Sequence, residues 1–211
     1  MRNSTPSHTD SKIKNYYRFH SHIYDITRWS FLFGRTSLIT MIPDLPPQPR
    51  ILEIGCGTGK NIEQLEYHFP DAVIVGMDMS TEMLRKARNR LQPSENIRLV
   101  NNPYGRVSLN LDQFDLILLS YSLTMFQAPV DDIFNHLHQD LKPGGYLAVV
   151  DFHTSRFPWF RQWMEINHVN FDGHFLPLLK KYFIPSQIKT HRAYLGLWTY
   201  FQFIGRQVYK L

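Results

Sequence analysis

From residue 50 onward, apolar and mixed segments follow one another along the chain and predict strands and helices in alternation. Five short apolar runs are predicted strands, at Arg50–Ile54, Ala72–Met77, Ile97–Val100, Phe114–Leu119 and Tyr146–Val150. Helices are predicted between them at about 58–68, from an N-cap at Ser80 through Leu91, and at about 130–141. Strands that are apolar throughout and separated by helices are typical of an α/β fold, a doubly wound and mostly parallel sheet covered on both faces.

The two ends of the chain are less regular. Residues 156–168 are predicted to be helical, whereas 170–187 are interrupted by Gly173, Pro177 and Pro185. Two last strands, at about 189–195 and 198–208, are predicted to form an antiparallel hairpin that turns near Gly196. We divide the chain into a disordered tail (1–10), an N-terminal helical cap with a proline-rich linker (11–49) and one main domain (50–211).

Composition limits the class of protein. The chain has 211 residues, and none of its apolar runs reaches the roughly 20 residues that cross a bilayer. The polar N-terminus lacks the apolar stretch of a signal peptide, and the single Cys56 excludes an internal disulfide, so we expect a cytoplasmic protein. The segment from Arg156 onward contains eight Lys or Arg residues and only two acids. This excess of positive charge favours either an anionic partner or a solvated basic surface.

The first predicted strand runs into a glycine loop of pattern Glu53-x-Gly55-x-Gly57-x-Gly59. Glycines placed so closely after a buried strand let bare backbone approach a ligand. A dinucleotide fingerprint reads G-x-G-x-x-G, whereas these glycines alternate and follow an acid. Asp78, at the end of the second strand, lies 23 positions after Gly55.

This motif resembles motif I of the class I S-adenosylmethionine-dependent methyltransferases, whose fold is a Rossmann-like, seven-stranded sheet. The resemblance implies S-adenosylmethionine as the cofactor. It implies that Asp78 accepts hydrogen bonds from the two ribose hydroxyls of the cofactor. The neighbouring Met79 would pack against the adenine ring. Many members of the family hold the adenine amine with an acid after the third strand, where this chain has Asn101. The fourth strand ends at Ser120 and Tyr121, which would lie near the methionine part of the cofactor and the incoming nucleophile.

One motif for nucleic-acid methylation is misplaced. Asn102-Pro103-Tyr104 resembles part of the Asn-Pro-Pro-Tyr box of adenine and glutamine N-methyltransferases, but that box belongs after the fourth strand and here it follows the third. We therefore expect no nucleic-acid partner, despite the net charge of +5.

The segments outside the cofactor motifs resemble a narrower family, the N-methyltransferase subunit of bacterial betaine-lipid synthesis. Four segments carry this resemblance: residues 24–35 (YDITRWSFLFGR), Asp151-Phe152-His153, Trp159-Phe160-Arg161 with Asn167-His168-Val169, and Asp172-Gly173-His174. It implies conversion of diacylglyceryl-homoserine to diacylglyceryl-trimethylhomoserine. It also implies a partner subunit that transfers a 3-amino-3-carboxypropyl group. The number of methyl transfers and the oligomeric state stay open.

The acceptor side then needs a base, a cage for a cation and a partner for a carboxylate. We predict His153 as the base with Asp151 orienting it, and His20, His168 and His174 as alternatives. Aromatic faces stabilise quaternary cations, which makes candidates of four tyrosines: Tyr16, Tyr17, Tyr24 and Tyr121. Arg28 or Arg35 could hold the homoserine carboxylate. No set of His, Cys, Asp and Glu has metal-ligand spacing, so no metal is expected.

A lipid acceptor requires access to a bilayer, and we expect a peripheral protein at the anionic inner face of the membrane. The predicted contact is an aromatic and basic stripe: Arg156, Phe157, Trp159, Phe160, Arg161 and Trp163. The same stripe could equally be an ordinary buried helix. Other readings remain open: a phosphatidylethanolamine N-methyltransferase, a quinone-ring C-methyltransferase, or a catalytically silent partner subunit that keeps the fold.

Overall fold

A computed structural model describes residues 31–105, 112–126, 129–166, 169 and 173–207. Its centre is a seven-stranded sheet of order β3-β2-β1-β4-β5-β7-β6. The strands are β1 (Arg50–Ile54), β2 (Val73–Asp78), β3 (Ile97–Asn101), β4 (Phe114–Ser120), β5 (Leu141–Phe152), β6 (Ile184–Ala193) and β7 (Trp198–Arg206). The first five are parallel, and β7 runs antiparallel to both of its neighbours. The predicted fold class is therefore confirmed.

Six α-helices lie in the described part of the chain: α1 (Arg35–Thr40), α2 (Lys60–His68), α3 (Thr81–Arg90), α4 (Val130–Asp140), α5 (Pro158–Ile166) and α6 (Phe175–Tyr182). Ser80 caps α3 as predicted, because its hydroxyl accepts a hydrogen bond from the Met83 N–H at 3.3 Å. Short 3-10 turns occupy Leu123–Met125 and Tyr194–Gly196, the second being the predicted hairpin turn between β6 and β7.

Two elements differ from the prediction. Strand β5 begins at Leu141 instead of at the predicted Tyr146, and its pairing with β4 shifts register between Phe114 and Leu116. Helix α6 was not predicted, because Pro177 was treated as an interruption. Pro177 is the third residue of α6, within the first turn, where the missing N–H has no intrahelical partner to lose.

The chain divides into two units, Met1–Phe33 and Gly34–Leu211. The predicted tail at 1–10 and most of the predicted helical cap lie outside the described residues. Helix α1 belongs to the second unit, where Leu38 and Ile39 are buried and the Gln202 amide of β7 donates to the Gly34 carbonyl at 2.7 Å.

The strand order reverses between β1 and β4, and in such sheets ligands bind beyond the carboxyl ends of the strands on either side. Every residue of β4 is buried, which fixes this edge rigidly. The turn between β6 and β7 reaches the same edge, because Phe152, the last residue of β5, pairs with Tyr200 near the start of β7.

Candidate functional site

The glycine loop after β1 folds back onto the end of β2. Backbone N–H groups of Gly55 and Cys56 both donate to the Met77 carbonyl, at 2.8 and 2.9 Å. Gly55, Gly57 and Gly59 all have positive φ, at 75°, 53° and 76°. The alternating glycines are therefore required by the backbone itself, since other residues rarely adopt this conformation.

A side chain would meet different surroundings at two of these glycines. A Cβ atom at Gly55 would lie 2.7 Å from the Cβ of Ser122, whose hydroxyl is fixed by a 2.8 Å hydrogen bond to the Ile54 carbonyl. At Gly57 a Cβ would meet nothing within 4 Å. Gly57 therefore presents bare backbone to open space, as a loop that cradles a ligand requires.

Asp78 ends β2 in a fixed orientation. One carboxylate oxygen accepts the Gly57 N–H and the other accepts the Ser80 N–H, both at 2.8 Å. Because each oxygen has a second lone pair, the half-buried carboxylate can still accept from two vicinal hydroxyls. Met79 beside it is 77% exposed, and the Asn101 amide donates to the Asp78 carbonyl at 3.0 Å. Both residues thus lie at the predicted edge, and their roles toward adenine stay predictions.

Glu53 is a buried acid with an unmet requirement. Its Oε1 accepts from the Asn61 amide at 2.7 Å, while among the described residues its buried Oε2 has no hydrogen-bond partner. Burial raises the pKa of Glu53 to about 8, opposed by the Asn61 hydrogen bond and by the positive charge of Arg35. An acceptor of this kind suits a ligand's ammonium group, which would supply both a donor and a charge.

Asn61 was missed by the sequence reasoning. It lies in the first turn of α2 and is buried with Ile62 and Leu65. An amide on the same face as apolar residues was the signal available, because a buried amide needs a polar partner.

The end of β4 carries a strained residue. Tyr121 has φ 55° and donates its N–H to the Val150 carbonyl at 2.8 Å. Its ring is buried against Phe152, with centroids 4.7 Å apart, and Phe152 in turn lies 5.2 Å from Trp198. The Ser120 hydroxyl is buried and has no hydrogen-bond partner in the described part of the chain. Non-glycine residues held at positive φ cluster at functional sites. Tyr121 therefore indicates a functional site at the end of β4.

Asp151 does not orient His153, contrary to our prediction. Its carboxylate is fully buried and accepts from the Thr124 hydroxyl at 2.7 Å, the Thr124 N–H at 3.1 Å and the Phe152 N–H at 2.8 Å. Asp151 therefore ties the end of β5 to the 3-10 turn that follows β4. Burial raises its pKa to about 6, opposed by these hydrogen bonds.

His153 lies directly after β5, at the edge of the sheet formed by the carboxyl ends of the parallel strands. Its backbone N–H donates to the Thr199 carbonyl at 2.9 Å. Its buried ring Nδ1 has no hydrogen-bond partner among the described residues. Burial lowers the pKa of His153, and the charge of Lys180 lowers it further. The imidazole is therefore neutral at neutral pH and able to accept a proton.

Five of the predicted acceptor residues lie outside the described residues: Tyr16, Tyr17, Tyr24, Arg28 and His168. His20, an alternative base, lies outside them too. Arg35 begins α1 close enough to Glu53 to lower its pKa, and His174 directly precedes α6 with its ring 3.9 Å from that of Phe175. Their roles toward an acceptor stay predictions.

The predicted aromatic stripe is only partly a surface. Phe160 is 3% exposed and belongs to the core, because it faces inward together with Met164 four residues later. The rings of Trp159 and Trp163 lie 5.7 and 5.8 Å from that of Phe160, but these residues are 62% and 47% exposed. Cys56 is buried and burial raises the pKa of its thiol, in keeping with a small loop residue.

The described residues contain no group of three His, Cys, Asp or Glu that could hold a metal ion. Within the same residues, no helix is long and apolar enough to cross a membrane.

Comparison with known proteins identifies the region around the glycine loop. A family model described as "Methyltransferase domain" matches residues 51–145, from β1 into β5. Residues 51–145, somewhat less than half of the chain, are thus similar to a methyltransferase domain. The glycine loop, the Asp78 carboxylate and the Glu53 oxygen that has no partner in the described part of the chain fit S-adenosylmethionine as the cofactor.

Two curated methyltransferases are similar in sequence to part of this chain. The chain is 35% identical over 114 residues to trans-aconitate 2-methyltransferase of Deinococcus radiodurans, covering 53% of this chain and 41% of that protein. It is 32% identical over 126 residues to malonyl-[acyl-carrier protein] O-methyltransferase of Paenibacillus sp., covering 57% of this chain and 45% of that protein. The chain thus matches less than half the length of either relative.

A solved structure extends the likeness of fold beyond the matched domain. Phosphoethanolamine N-methyltransferase 2 of Haemonchus contortus, in complex with phosphomonomethylethanolamine and S-adenosylhomocysteine, matches with a TM-score of 0.69. The match covers 83% of this chain and 52% of that one at 14% identity, so it concerns the fold alone.

Proposed function

We propose that this protein is an S-adenosylmethionine-dependent N-methyltransferase that acts on a lipid head-group amine, converting diacylglyceryl-homoserine to diacylglyceryl-trimethylhomoserine. The observation that carries the proposal is the position of His153, whose buried ring Nδ1 has no hydrogen-bond partner among the described residues, at the strand edge that also bears the glycine loop and Asp78. N-methylation needs such a base, since each incoming amine must be free of its proton to attack.

The cofactor, when bound, supplies a methyl group on a positively charged sulfur. The loop around Gly57 would cradle it, Asp78 would accept from its ribose, and Glu53 would accept from its ammonium group. Asp78 is fixed by the Gly57 N–H and Glu53 by the Asn61 amide, so both would hold the cofactor with little reorganisation.

On the acceptor side, the amine lone pair would form a nitrogen–carbon bond with the transferred methyl group, and the electron pair of the broken carbon–sulfur bond would return to sulfur. After the first and second transfers the nitrogen releases a proton, which His153 accepts and passes to solvent. The third transfer leaves a quaternary nitrogen with no proton to lose. Aromatic faces suit such a cation, with each face contributing about 0.5–2 kcal/mol.

The lipid acceptor is supported by the motifs at 24–35, Asp151–His153 and Trp159–Arg161, which lie outside the matched domain. The protein would then act at the inner face of the membrane. It would follow a partner that transfers the 3-amino-3-carboxypropyl group.

A panel of defined acceptors in detergent micelles tests the proposal: diacylglyceryl-homoserine, phosphatidylethanolamine and a demethylated quinone, each with labelled S-adenosylmethionine. We expect label in the first lipid, with a mass gain of up to three methyl groups. Label in phosphatidylethanolamine or in the quinone would show that this molecule is the acceptor in place of diacylglyceryl-homoserine. Absence of cofactor binding by calorimetry would instead favour a silent partner subunit.

The base is tested separately with His153→Gln. Loss of general base catalysis costs about 100- to 10,000-fold in rate, and cofactor affinity should not change. A variant with the wild-type rate would remove His153 from the mechanism.

A further inference from the structure

Large apolar side chains are exposed on two elements at the carboxyl edge of the sheet. On the turn between β6 and β7, Tyr194 is 50% exposed and Leu195 is fully exposed at 108%. At the start of α5, Phe157 is 37% and Trp159 is 62% exposed. Trp163, one turn further along α5, is 47% exposed.

These two elements are joined into one unit. The Ser155 hydroxyl donates to the Leu197 carbonyl at 2.6 Å and accepts from the Phe157 N–H at 3.2 Å. A Cβ atom at Gly196 would lie 3.4 Å from the guanidinium of Arg156. The hairpin turn therefore lies beside the first turn of α5, and the exposed side chains of both belong to one surface.

The turn holds Leu195 in an unfavourable conformation. Tyr194 and Leu195 have φ of 46° and 57°, in the left-handed region that favours glycine. A leucine there, with its whole side chain in water, gains nothing from packing within the chain. Burial of that side chain in an apolar phase would provide the missing gain.

The charged residues around the exposed side chains indicate which apolar environment would bury them. Arg156, Arg161 and Arg192 flank the exposed aromatic residues and are themselves exposed. Between Arg156 and Arg206, Glu165 is the one acid among the described residues. Tryptophan and tyrosine with arginine are the residues that settle at the boundary between lipid head groups and acyl chains, and the arginines favour anionic head groups.

The location also fits a bilayer. Phe152 pairs with Tyr200, and the Tyr121 N–H donates to the Val150 carbonyl, so the hairpin turn projects beyond the edge where β4 and β5 end. A membrane on this surface would lie at the same end of the sheet as His153 and the glycine loop.

We propose that the β6–β7 turn and the first turns of α5 form a docking surface for an anionic bilayer, with Leu195 as its tip. We define this docking surface by Phe157, Trp159, Trp163, Tyr194 and Leu195 with the three flanking arginines. The proposal rests on the proposed function in one respect, since a lipid acceptor gives the protein a reason to bind the bilayer at this edge.

Co-sedimentation of the full chain with vesicles tests the surface. Vesicles of phosphatidylcholine alone are compared with equimolar phosphatidylcholine and phosphatidylglycerol. Wild type should bind the anionic vesicles, and Leu195→Asp should partition about tenfold more weakly, since a buried leucine is exchanged for a charge. The matched control is Tyr67→Ala, which removes an aromatic residue that is 84% exposed on α2, and it should bind as wild type does.

Charge is tested with Arg161→Gln, expected to weaken binding about fivefold on anionic vesicles only. Arg98→Gln, an exposed arginine on β3, is its control and should have no effect. Leu195→Gly keeps the turn conformation without strain, so it should raise thermal stability while still weakening binding. This variant keeps the test decisive if Leu195→Asp fails to fold.

Vesicle binding unchanged by Leu195→Gly would overturn the docking surface. Wild-type protein that binds neither vesicle, or that binds a protein partner through Leu195 instead, would overturn it as well. Methyl transfer to lipid in detergent would then still support the proposed function. Conversely, Leu195-dependent binding without transfer to any lipid would overturn the proposed function and leave the docking surface standing.

Discussion

The loop glycines share a left-handed backbone but limit the site in different ways. Gly55 is packed against Ser122, so a side chain there meets protein. Gly57 faces open space, so a side chain there would meet no atom of the described residues within 4 Å and would enter the space that we assign to the cofactor. The sequence shows the alternating glycines, but it does not show which of them packs against protein and which faces the space for a ligand.

We therefore predict different outcomes for two alanine variants. Gly57→Ala should lose a modest amount of stability, about 1–2 kcal/mol from the left-handed backbone, and bind S-adenosylmethionine at least about tenfold more weakly. Gly55→Ala should be destabilised further, because its Cβ would lie 2.7 Å from that of Ser122. Thermal unfolding and calorimetry measure both quantities. Wild-type cofactor affinity in Gly57→Ala would contradict a cradle at this loop.

Glu53 makes the stability of the ligand-free protein depend on pH. Its pKa is about 8 in the folded protein against an ordinary 4.5. Below 4.5 both states are protonated and stability is fully present; as pH rises toward 8 the unfolded state ionises while folded Glu53 keeps its proton, so stability is lost. Since one pKa unit corresponds to about 1.4 kcal/mol, the whole loss is at most roughly 3 to 5 kcal/mol.

The measurement is urea unfolding between pH 6.5 and 8.5, above the pKa of about 6 for the other buried acid, Asp151. Wild type should lose stability across this range, and Glu53→Gln should not. Glu95→Gln, at an exposed carboxylate, is the control and should keep the wild-type slope. A slope that survives Glu53→Gln would assign the effect to another group.

At the scale of elements, the sequence predicted what depends on periodicity and missed what depends on contacts. The first four strands were placed within one residue at either end, because buried parallel strands are continuous apolar runs. Helix α6 was missed because a proline in a first turn looks the same in sequence as one that breaks a helix. Phe160 was left open between surface and core, because an aromatic run does not show which of its members faces inward.

The Asp151 contact defines how two elements meet, and it can be tested without touching the acid. Thr124→Val removes one donor to the buried carboxylate and should cost about 1–3 kcal/mol, lowering the melting temperature by several degrees. Thr190→Val, at an exposed threonine of β6, is the control. The rate of methyl transfer per folded molecule should be preserved in both variants. A selective loss of rate in Thr124→Val would return Asp151 to the catalytic group.

At the scale of the molecule, the chain joins a shared half to a distinctive one. The matched domain ends at residue 145, while His153, helix α5 and the β6–β7 turn all follow it. Sequence motifs alone identified the cofactor half, because close backbone approach restricts which residues can stand there. The acceptor half could be predicted only as residue types, since its geometry comes from strand pairing between distant segments.

The most direct measurement of the central claim is methyl transfer by the purified chain from labelled S-adenosylmethionine to a total bacterial lipid extract, with mass spectrometry of the labelled product. Gly57→Ala serves as the control that removes the cofactor cradle. We predict label in an amine-containing lipid that becomes trimethylated, and much less label with the variant. Cofactor binding without label in any lipid, or label on a carboxylate or a ring carbon, would contradict the account.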